Sequence, residues 1–145
     1  MREILFRAKD QTGIMNNHWF IGSLDLTNKE FPKIICNDKF GNIMHITVEP
    51  ETIGQFTGLT DKNGKQIFEG DIVKLTDKNN NYEWTAVVEF GNPNSYYSWG
   101  WQLKPITKNV KYNLDILCWV DIDDFGVYSE VIGNIYDNPE LLGVK

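Results

Sequence analysis

The chain has 145 residues, 41% of them hydrophobic and 13% aromatic, and a formal charge of −6. That length and composition give a single domain over 1–145 with a sizeable core, and exclude an intrinsically disordered chain. Six basic and five acidic side chains over residues 1–48 give +1, four and six over 49–80 give −2, and four and nine over 81–145 give −5. No Lys and Arg cluster is present of the kind that neutralises a phosphate backbone, so nucleic-acid binding is disfavoured.

Aromatic richness, with alanine only at Ala8 and Ala86, favours strands over helices. Residues 3–9 set Ile4, Phe6 and Ala8 against Glu3, Arg7 and Lys9, the pattern of a half-buried strand. His18 to Leu26 carries bulk on both faces, so this strand is central in its sheet or covered. Phe31 to Cys36 and Ile43 to Val48 read as a third and fourth strand around the turn Asn37 to Asn42. Pro50 at a first helical position predicts a single helical turn through Ile53, ended by Gly54. Glu49-Pro50 is the expected seam between an N-terminal β portion, 1–49, and a remainder, 50–145.

The densest signals lie between Pro50 and Leu75. Gly54 and Gly58 allow backbone angles that a Cβ forbids. Asp61-Lys62-Asn63-Gly64 predicts a type I turn on Lys62-Asn63 with Gly64 left-handed, because Asp61 suits the first turn position. Gly70-Asp71 opens the strand Ile72 to Leu75, an entry resembling that of SH3-like barrels. Tyr82 to Phe90 has the clearest alternation in the chain. Gly91 to Ser95 breaks it, and Trp99, Trp101 and Leu103 share a face of the next strand. Asn113 to Val120 follows, then an acidic loop at Asp121 to Gly126 and a last strand from Tyr128 to Tyr136. Asn138 as cap with Pro139 and Glu140 behind it predicts a short C-terminal helix carrying Leu141-Leu142. The expected architecture is mainly β: an SH3-like barrel from about Thr57 to Tyr136 with N-terminal strands added.

Few residues point to chemistry. Aligned to a calcium loop, Asn63-Gly64 puts Leu59 and Gly70 where acidic ligands belong, so the motif fails and a hairpin turn is the reading. In the cluster Asp115, Asp121, Asp123 and Asp124, Asp121 and Asp123 would share a strand face, a spacing able to hold a divalent ion for hydrolysis; a solvated rim guarding a sheet edge is the preferred reading. His18 and His45 lie on separate strands with no paired nucleophile, as structural residues do. Tyr96, Tyr97, Trp99 and Trp101, with Tyr82 and Trp84, offer a stacking or contact platform, and Tyr96 and Tyr97 are placed to face outward. No cofactor is expected. Cys36 and Cys118 lie in no ligand spacing and read as reduced thiols of a cytoplasmic protein. No apolar run reaches membrane-spanning length.

The segment TIGQFTGLTDKNGKQIFEGDIVKL, holding Gly54, Gly58, Asn63, Gly64, Gly70 and Asp71, resembles the signature of the YopX family, small proteins of bacteriophages and prophages. Arg2 to Lys9 with Trp19 and Gly22-Ser23-Leu24 is similar to the family's opening, and Glu130 to Leu142 to its closing segment. The resemblance implies a phage or prophage setting in a bacterial host and carries no established activity. The expected role is non-enzymatic, binding a host or phage protein or self-assembling as a homo-oligomer. The alternatives are a metal-dependent hydrolase built on the aspartates and a nucleic-acid-associated small-barrel module.

Overall fold

The computed structural model describes residues 3–11, 18–91, 99–107 and 126–143. Among them are ten strands: β1 Phe6–Lys9, β2 Trp19–Asp25, β3 Lys33–Asn37, β4 Ile43–Thr47, β5 Gly54–Thr60, β6 Gln66–Phe68, β7 Asp71–Asp77, β8 Tyr82–Gly91, β9 Gly100–Pro105 and β10 Val127–Asn134. Hydrogen bonding orders them β4-β3-β2-β1-β5-β6 in one sheet and β10-β7-β8-β9 in the other. The fold is mainly β with two antiparallel sheets; the pairings among the described residues do not establish an SH3-like barrel. By compactness the chain divides into residues 1–58 and 59–145, a boundary that falls inside β5 rather than at Glu49-Pro50.

In the first unit β2 lies between β1 and β3, central as its two bulky faces predict. Phe20 and Leu24 turn inward and pack on the buried Ala8, Ile34 and Val48, joined by Phe6, Cys36, Ile46 and Ile53. On the other face Trp19 is covered by Arg7, whose guanidinium sits 4.7 Å from the ring centroid, while Ile21 is exposed. Gly22 is required by close approach: a Cβ there would run into the carbonyl of Ile35 on β3. The sheet also closes on itself. Past its pairing with β5, β1 continues into an Asp10–Val48 bridge, with Gln11 N–H donating to Thr47 O at 3.0 Å and Glu49 N–H to Lys9 O at 2.9 Å. The helical turn expected at Pro50 is a 3-10 turn over Pro50–Thr52. Thr52 Oγ1 ties it to this closure by accepting from Lys9 N–H at 2.9 Å.

The second unit builds its core on one face of the four-stranded sheet, from Val73 and Leu75 on β7, Trp84, Ala86 and Val88 on β8, Leu103 on β9, Val127 on β10 and Ile67 on β6. The alternation that begins at Tyr82 is the core face as far as Val88. Two strands went unforeseen. β5 is rich in Gly and Thr and β6 is only Gln-Ile-Phe, and they form by pairing across the predicted turn rather than by apolar alternation. Gly58 stays within β5 at φ +86°, whereas Gly54 takes no positive φ and lies opposite Arg7 of β1. β10 bulges at Ile132, and it stops at Asn134 rather than Tyr136. There the Asn134 side-chain oxygen accepts N–H bonds from Tyr136 and Asp137 at 3.0 and 2.9 Å, bonds that compete with a ladder. The expected C-terminal helix is a 3-10 turn over Pro139–Leu142. Asn138 makes no side-chain cap on it, because its Oδ1 is turned back to accept from Asn134 N–H at 3.2 Å.

Candidate functional site

The Asp61–Gly64 turn forms as read. Gly64 N–H donates to Asp61 O at 2.9 Å, Asp61 N–H to Lys65 O at 2.8 Å, and Gly64 is left-handed at φ +81°. Sequence reasoning missed where the Asp61 side chain goes. One carboxylate oxygen accepts from Asn63 and Lys65 N–H, each at 2.9 Å. The other reaches across the chain to accept from Val131 N–H of β10 at 2.9 Å, beside a Lys62 N–H bond to Ser129 O at 3.0 Å. The turn thus occupies two groups on the edge of β10 that face away from β7, as an added strand would. Burial pushes the Asp61 carboxyl up, but the Val131, Lys65 and Asn63 N–H groups and the Lys65 ammonium outweigh it, and the group titrates below its ordinary value. Only the position of Asp61 before Asn-Gly hinted at this, as the first residue of a side-chain-closed turn.

Asp71 is buried at the head of β7 and accepts from Phe68 N–H at 2.8 Å, tightening the β6–β7 connection. Beside it Gly70, at φ +90°, donates its N–H to Val88 O and accepts from Ile135 N–H, both at 2.9 Å. A Cβ on Gly70 would crowd the Tyr136 ring at 3.2 Å. These signature residues hold elements together.

The aromatic candidates separate. Trp101 packs against the second core and meets Phe90 edge-on, ring centroids 4.9 Å apart. Trp99 is 76% exposed and Phe90 62% exposed. Both stand at the end of the β8–β9 pair where Gly91 faces Gly100, and a Cβ on Gly91 would lie 3.6 Å from the Trp99 ring. Phe90 continues the alternation of β8 but is exposed. Such a surface offers contact area, not acid–base chemistry. Tyr96 and Tyr97 lie outside the described residues, as do Asp115, Asp121, Asp123, Asp124 and Cys118. Among the described residues no three His, Cys, Asp or Glu side chains gather to hold a metal ion. His18 and His45 are exposed, and burial pushes the half-buried Cys36 thiol up. No described helix is long and apolar enough to cross a membrane.

The family model described as "YopX protein" matches residues 5–143. The chain belongs to the YopX family. Membership spans nearly its whole length, so the opening segment from Leu5 onward, the signature and the closing segment lie in one match. No curated protein matches the chain. Among solved structures, this YopX-family chain is similar to protein EF1440 from Enterococcus faecalis. The two share 23% identity and a TM-score of 0.51, over 99% of this chain and 100% of that one. At that identity the likeness speaks to fold.

Proposed function

We propose that this YopX-family protein is a phage or prophage accessory protein of the bacterial host cytoplasm with a non-enzymatic role. It binds protein through the aromatic end of β8–β9, and its simplest partner is a second copy of the chain. The observation that carries this reading is the joint exposure of Phe90 and Trp99 next to Trp101. Exposed aromatics grouped at one edge are costly to leave in water, and aromatic side chains are enriched where proteins meet. Two-fold dimers are the commonest assembly of identical chains. Light scattering on a sizing column with the Phe90→Ser, Trp99→Ser double variant tests it. The parent should run above the 16.8 kDa of one chain and the variant at that mass. A monomeric parent that captures a host or phage protein lost in the variant keeps the surface and changes the partner. A parent that neither associates nor captures anything through these residues removes the proposal.

A further inference from the structure

We draw no further inference here: the strongest candidate, the open groove of the second unit that Val87, Ile106, Ile135 and Leu142 line together with Glu89 and Lys104, is an unpartnered and mainly apolar surface, and nothing in the structure shows what covers it.

Discussion

In residues 1–58 the far strand of the sheet returns to the first through main-chain groups: Gln11 to Thr47, Glu49 to Lys9, and the bridge between Asp10 and Val48. In residues 59–145 the edge of β10 is met by one main-chain N–H, from Lys62, and one side-chain carboxylate, from Asp61. Both arrangements satisfy edge groups that would otherwise pair with another chain. They differ in what can undo them. A main-chain bond does not respond to proton concentration in the acid range, and its sequence requirement is loose. A carboxylate can be removed by one substitution or neutralised by acid.

The strongest way to break the first closure is to add bulk where β2 and β3 meet. Gly22→Val must displace the Ile35 main chain, and a loss of about 3 kcal/mol is expected, at or beyond the upper range for overpacking. Denaturant unfolding measures it, and a change within error would mean that the strands separate freely there. The matching break in the second unit is Asp61→Ala, which leaves the Val131 N–H without its acceptor and strips the turn. A loss of about 2–3 kcal/mol is expected, with faster amide exchange at Val131. Asp61→Asn should fall between, because one oxygen serves only one of the two sides.

Acid sharpens the same contrast. The Asp61 carboxyl is held below its ordinary value in the folded chain. Its contribution is therefore complete above the unfolded pKa of about 3.9 and is lost as pH falls through the lower, folded value. Val131 amide exchange, corrected for intrinsic rates, should lose protection across that window while Gln11 and Glu49 keep theirs. Asp25 and Asp38 in the first unit are also lowered, by the Thr27 side chain and by the Asn42 N–H first among their causes. These exposed groups hold local turns, not the closure. Equal acid sensitivity at the two closures would contradict the comparison.

A smaller effect comes from Gln102 on β9. It is fully buried, and among the described residues its amide has no hydrogen-bond partner. Replacing such a group by an apolar one of like size removes a desolvation cost, so Gln102→Leu should raise stability by about 1 kcal/mol. A destabilised variant would show that the amide is satisfied in solution. Comparable in size is the effect at Gly64, where a Cβ meets nothing within 4 Å and only φ resists. Gly64→Val should cost about 1–2 kcal/mol and Gly64→Asn less; equal melting temperatures would remove the left-handed turn from the explanation.

Local chemistry made much of this legible. The alternation of Tyr82 to Val88 found the second core, and the bulk on both faces of His18 to Leu26 found a central strand. Asp61-Lys62-Asn63-Gly64 gave its turn, down to the left-handed glycine. The sequence pattern was silent where an element forms for its neighbours. β5 has no apolar period, and Asp61 finds Val131 seventy positions away. Phe90 continues the core alternation with no hint in the sequence that it is exposed.

The turn also governs how the molecule ages. An asparagine followed by glycine loses its amide when the glycine nitrogen attacks the asparagine side-chain carbonyl, closing a five-membered imide that reopens largely as isoaspartate. In the folded chain the Gly64 nitrogen is engaged with the Asp61 carbonyl at 2.9 Å, and the Asn63 N–H is held by the Asp61 carboxylate, so the nucleophile is committed elsewhere. Unfolded chain lacks that restraint. Isoaspartate at Asn63 would insert an extra backbone carbon between the two strands of the hairpin and shift the very bonds that protected it. Each excursion from the native state therefore leaves a chemical record at this one dipeptide, and the record makes the next excursion easier.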